Sequence, residues 1–120
     1  MRRIKKKMID KMIKQVIILN IMEMLYKPPF RKSVKKQTRP LQLAAEDEIE
    51  RIAEDPDIGE SKLGDLQGIQ VHKFKFQRQS YLIAYRVAGP DIIFYSIGTH
   101  ENFYRDLKRY LKEVEKSDYS

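Results

Sequence analysis

The chain has 120 residues, of which 42% are hydrophobic and 34% charged, and this fits one globular domain with a modest core. It contains no cysteine, which excludes disulfides and thiolate metal sites and fits the reducing cytoplasm. The formal net charge of +7 favours a polyanionic partner: RNA, DNA, an acidic protein or an anionic membrane. His72 and His100 lie far apart and form no metal-binding motif, so we expect neither a metal nor a cofactor.

Residues 1–21 carry seven basic side chains and one acid, with Ile4, Met8 and Met12 at helical spacing, which is compatible with a basic amphipathic helix. A signal peptide would need a small-residue cleavage site, and a membrane span about 20 apolar residues; the segment has neither. We favour an extension upstream of the domain, with Met22 and Met24 as candidate alternative starts. A mass measurement that shows the natural protein to begin at Met1 would refute the alternative starts.

From residue 22 the pattern becomes regular. Residues 23–27 predict a short strand, which Pro28 and Pro29 end because neither can donate to a ladder. A short basic helix follows, with Phe30 and Val34 one turn apart. A second helix begins after the break at residues 38–40 and is stopped by residues 55–57. Its apolar stripe comprises Leu41, Ala45, Ile49 and Ile52.

A glycine-punctuated loop at 58–68 precedes three predicted strands, at 71–76, 81–87 and 92–97. A C-terminal helix is predicted over 101–115, with a frayed tail at 117–120. The predicted fold is α+β: two N-terminal helices pack on one face of a twisted antiparallel sheet, and a C-terminal helix follows. The other face is expected to stay open to solvent or to a ligand. The domain therefore spans 22–116.

Five residues are candidates for chemistry. Lys73 and Lys75 alternate with phenylalanines and would project from the open face, with Arg78 in the following hairpin. His100 lies at a strand-to-helix junction, where backbone N–H groups favour a phosphate, and Tyr104 follows one turn later. Such a set could cleave RNA without a metal, because the 2′-hydroxyl can attack the adjacent phosphate. A lysine crowded by other cations could serve as the base. Each residue also has an ordinary structural explanation: a solvated face, a surface histidine or helix packing.

The block KLGDLQGIQVHKFKFQRQSYLIAYRV (62–87) resembles the centre of RelE/ParE superfamily toxins, YSIGTHENFYRDLKRYL (95–111) resembles their last strand and C-terminal helix, and residues 30–56 resemble their helical hairpin. The resemblance covers residues 22–115. It implies that the chain is the toxin of a type II toxin-antitoxin system and that an acidic antitoxin wraps around it. It also implies that Lys73 and Lys75 match the paired lysines of the RelE branch, Tyr104 its C-terminal tyrosine and His100 the histidine of YafQ-like members.

The RelE branch cleaves mRNA on the ribosome, and we favour this function for the chain. Two departures count against it. Leu82 follows Tyr81 where RelE has arginine, and His100 stands where RelE has another basic residue; Arg78 is a candidate substitute for the missing arginine. The alternatives are a ParE-like, non-enzymatic inhibitor of DNA gyrase and a basic nucleic-acid-binding module without toxicity. No membrane partner is expected.

Overall fold

A computed structural model describes the backbone of residues 22–119 and the side chains of residues 22–114. The interpretations given above for residues 1–21 lie outside the described residues. In chain order the elements are β1 (Met24–Tyr26), α1 (Pro28–Lys35), α2 (Arg39–Glu54), β2 (Glu60–Ser61), β3 (Gln70–Phe76), β4 (Gln79–Ala88), β5 (Asp91–Gly98) and α3 (Phe103–Tyr119), with single 3₁₀ turns at Pro56–Ile58 and Gly64–Leu66. No described helix is both long enough and apolar enough to cross a membrane.

The five strands form one sheet in the order β1-β5-β4-β3-β2. The predicted antiparallel meander of β3, β4 and β5 is confirmed. β1 instead pairs in parallel with β5, so the sheet is mixed. The long connection through α1, α2 and the first strands of the meander permits this orientation, which a short hairpin would not. The two-residue β2, which extends the edge beside β3, has no periodic signal in the sequence and was not predicted.

The first face of the sheet carries α1 and α2. The predicted stripe of α2 is confirmed: Leu41, Ala45 and Ile52 are buried and Ile49 packs against them. Phe74 joins this core from β3, so its neighbours Lys73 and Lys75 project from the opposite face. The layer also holds a polar contact, in which Nε2 of buried His72 lies 2.7 Å from Oε1 of Glu48 on α2. This contact joins α2 to β3.

The second face was expected to be open, but part of it is covered. α3 packs there through Phe103 and Leu107, against a cluster that includes Leu82, Ala84 and Tyr95. Both faces of the sheet centre are therefore covered, which is why residues 82–85 of β4 are buried consecutively. α3 starts two residues later than predicted and continues to Tyr119. The open surface that remains lies beyond the start of α3, over the end of β3.

Candidate functional site

The uncovered part of the second face carries two lysines of β3. Lys73 pairs with Leu82, and Leu82 in turn pairs with Gly98 at the end of β5. These three residues form one row across the sheet, so Lys73 and Gly98 lie two strand spacings apart, about 10 Å. Lys75 lies two residues further along the same face, and both lysines are exposed. The exposed side chains of Lys73 and Lys75 therefore form a cationic row along β3, and its Lys73 end lies close to the end of β5.

His100 and Tyr104 meet beside the end of β5. His100 is exposed and lies in the turn between β5 and α3, where its carbonyl accepts a hydrogen bond from the N–H of Phe103 at 3.3 Å. Tyr104, half-buried in the first turn of α3, meets the imidazole edge-to-face, with ring centroids 5.5 Å apart. Burial of Phe103 on the sheet fixes this turn, so the pair has a defined position at the rim of the open surface.

Arg78 lies at the tip of the β3–β4 hairpin, and among the described residues it makes no hydrogen bond or ring contact with the other candidates. Gln77 and Arg78 are the two central residues of the turn, with φ values of 49° and 68°. A two-residue hairpin of this kind favours Asn-Gly, because non-glycine residues are strained at positive φ. The turn therefore holds an exposed guanidinium in a costly conformation at the end of the cationic row.

Lys62 is a site residue that the sequence prediction missed. Its Nζ lies 5.3 Å from the centroid of the Tyr104 ring and 2.9 Å from Oε1 of Glu60. The hydrogen bond to Glu60 is the main cause that raises the pKa of the Lys62 ammonium, so Lys62 is a cation rather than a base. Lys62 lies in a loop eleven residues before Lys73, where no periodicity marks it. Only the contact of this loop with Tyr104 of α3 identifies it.

A separate cleft of about 800 Å³ opens around the edge of β5, between α1 and α3. β1 pairs only with residues 92–94 of β5, so the edge beyond Phe94 has no second partner strand in the described part of the chain. The lining includes Thr99 and Glu101 but none of the five predicted site residues. We therefore take the exposed cationic surface, and not this cleft, as the candidate site.

Charge is segregated along the chain. Residues 22–120 contain 17 Lys and Arg against 16 Asp and Glu, so most of the +7 net charge belongs to residues 1–21. Residues 24–45, which include α1, contain six basic side chains and no acid, whereas residues 46–65 contain nine acids and two bases. Residues 71–88 again contain four bases and no acid. Local clusters, and not the net charge of the domain, therefore create the basic surfaces.

The fold and this surface define a small α+β protein with an exposed cationic face. Its structure is similar to the intact E. coli RelBE toxin-antitoxin complex (TM-score 0.54, 18% identity, 66% of this chain and 96% of the other), to the isolated E. coli RelE toxin (0.52, 18%, 73% and 97%) and to a double mutant of E. coli RelE in the free state (0.56, 17%, 78% and 95%). A search of curated proteins gives no significant match. Residues 24–108 match the profile of ParE-like toxins of type II bacterial toxin-antitoxin systems, and the chain belongs to this family.

Proposed function

We propose that this toxin is a metal-independent endonuclease that cleaves mRNA on the ribosome. The observation that carries the proposal is the strand register, in which Lys73 is aligned through Leu82 with Gly98, two residues before His100. Cations and an imidazole thus share one open end of the sheet. Family membership supports the toxin itself. The similarity to a RelBE toxin-antitoxin complex supports a cognate antitoxin as the partner, and action on ribosomes would require the cytoplasm.

In the proposed reaction, the 2′-hydroxyl of the RNA attacks the adjacent phosphorus and the bond to the 5′-oxygen breaks. The products are a 2′,3′-cyclic phosphate and a free 5′-hydroxyl. Lys73, Lys75 and Arg78 would stabilise the extra negative charge of the phosphorane. His100 would transfer a proton, either from the attacking hydroxyl or to the leaving oxygen. Tyr104 would orient a base by stacking.

The test is to induce the chain in bacteria and to map mRNA ends by primer extension. We expect new cuts confined to translated frames. His100→Ala should lower cleavage by about 10²- to 10⁴-fold, the usual contribution of general acid–base catalysis. Glu101→Ala, at the next exposed position of the same turn, is the matched control and should retain cleavage. The antitoxin should bind both variants. Undiminished growth arrest by His100→Ala would exclude His100 from the chemistry.

The lysines are tested as a pair. Lys73→Ala with Lys75→Ala should abolish growth arrest, because the phosphorane loses two of its cations. Lys108→Ala with Lys112→Ala removes the same charge from exposed positions of α3 and should leave growth arrest intact. Equal toxicity of the two double variants would show that the β3 row has no special role.

A ParE-like inhibitor of DNA gyrase is the second candidate. Two observations favour it: the matching family profile is that of ParE-like toxins, and buried Leu82 occupies the position where the RelE branch has arginine. This function predicts induction of DNA-damage signalling while mRNA stays intact. Growth arrest with intact mRNA would therefore reject the nuclease function and favour inhibition of gyrase.

A further inference from the structure

The loop that precedes β3 forms a second wall of the site. Glu60 of β2 pairs with Val71 of β3, so the Glu60 side chain lies on the same face as Lys73. The N–H of Lys62 donates to the carbonyl of Ile69 at 2.9 Å, which closes the loop between them. The loop thereby presents Lys62 to the ring of Tyr104.

The contacts of Lys62 differ from those of a solvated lysine. Its side chain is 23% exposed, whereas that of its partner Glu60 is 76% exposed. The ammonium lies against the Tyr104 ring at 5.3 Å, and the same ring meets His100 at 5.5 Å. Tyr104 therefore contacts both a cation and the imidazole. An ammonium has three donors, so the bond to Glu60 leaves donors for the phenol oxygen and for a phosphate.

We propose that Lys62 is a positioning residue of the cleavage site, which holds the Tyr104 ring against His100. The inference rests on the proposed nuclease function for its consequence in catalysis. Its geometric part stands independently of that function. Lys62 does not take a proton in this scheme, because it remains charged. Loss of Lys62 would let the tyrosine ring turn away from the imidazole, and a misplacement of about 1 Å in a site can cost about 100-fold in rate.

The chain contains only two histidines, which makes the geometry directly measurable. In the full chain labelled with ¹³C-histidine, His100 reports the Tyr104 contact through the ring current of that tyrosine. His72, buried and paired with Glu48, reports whether the fold is intact. The His100→Gln variant assigns the two signals.

We expect Lys62→Met to shift the His100 ring signals in the same direction as Tyr104→Leu, while the His72 signals stay in place. Lys62→Arg should keep most of the wild-type shift, because a guanidinium also packs on an aromatic face. His100 signals that move in Tyr104→Leu but not in Lys62→Met would overturn the positioning role. Signals that move in neither variant would overturn the contact itself.

The catalytic consequence is measured on ribosomes that carry a defined mRNA. Lys62→Met should lower kcat about tenfold or more with little change in KM, and Lys62→Arg should restore most of it. Lys112→Met, an exposed lysine on the helix of Tyr104, is the control and should match wild type. A rise in KM at constant kcat would make Lys62 a binding residue and contradict the proposal. If the wild-type chain cuts no RNA, the nuclease function fails, and the histidine spectra still decide whether Lys62 positions Tyr104.

Discussion

Replacement of Tyr85 by phenylalanine should destabilise the fold through one hydroxyl group. The Tyr85 side chain is fully buried, and its oxygen accepts a hydrogen bond from the N–H of Gly59 at 2.9 Å. The same oxygen lies 2.6 Å from the carbonyl of Pro56 and 2.8 Å from Oε1 of Gln70. A Cβ at position 59 would lie 2.7 Å from this oxygen, so glycine allows the close approach. The hydroxyl thus fastens the segment before β2 to the sheet.

The magnitude follows from what phenylalanine keeps and loses. The ring would keep its packing against Phe94, with centroids 6.1 Å apart, so no cavity forms. Each lost hydrogen bond is worth about 0.5–1.5 kcal/mol net, and a buried partner left unpaired costs about 1–3 kcal/mol. Pro56 and Gly59 are half-buried, so water can replace part of the loss. We therefore expect the free energy of unfolding to fall by about 2 kcal/mol.

Urea denaturation measures this change, with the midpoint lowered and the slope unaltered. Tyr81→Phe is the matched control: Tyr81 is half-buried on the same strand, and its hydroxyl has no hydrogen bond among the described residues. The control should change the stability by less than about 0.5 kcal/mol. If Tyr85→Phe also changes it by less than that, the hydroxyl does not anchor the segment, and the reasoning fails.

Three further predictions concern stability. Burial raises the pKa of the Tyr85 phenol, so the folded state favours the neutral form. The contribution of this group to the free energy of unfolding is complete below pH 10 and should be lost as the pH rises above 10, and urea midpoints measured between pH 8 and 11 would check this. Glu48→Ala leaves buried His72 without its partner and should cost about 1–3 kcal/mol, whereas Glu48→Gln should cost less in the same assay. Changing Gln77 and Arg78 to Asn-Gly should relieve the backbone strain of the turn and raise the free energy of unfolding by about 1 kcal/mol, while lowering RNA cleavage because the guanidinium is lost. A lower melting temperature of this variant would contradict the assigned strain.

The spacing of apolar residues predicted those features of the fold that are set within a single strand or helix. The spacing of Leu41, Ala45 and Ile52 determined the buried face of α2, and the alternation in β3 determined which face carries Lys73. The parallel pairing of β1 with β5 could not be read in this way, because it joins segments about 68 residues apart and the two strands share no local pattern.

The sequence of β4 indicates that both faces of the sheet centre are covered. Residues 82–85 are Leu-Ile-Ala-Tyr, a continuous apolar run, and such runs are typical of strands buried on both faces. The candidate site was predicted less completely. His100 and Tyr104 lie close in the chain, and their contact follows from one helical turn. Lys62 comes from a loop whose position depends on the pairing of β2 with β3, and no local rule predicts that contact.

The acidic half of α2 and the lysines of β3 lie at the same edge of the sheet but on opposite faces. Glu48 of α2 reaches β3 on the first face, whereas Lys73 and Lys75 project from the second face. At physiological ionic strength charges are screened over about 8 Å, so a large anionic surface meets each face separately. Such a surface is attracted to the lysine face and repelled by the acidic face, and this torque would turn the molecule before the first contact.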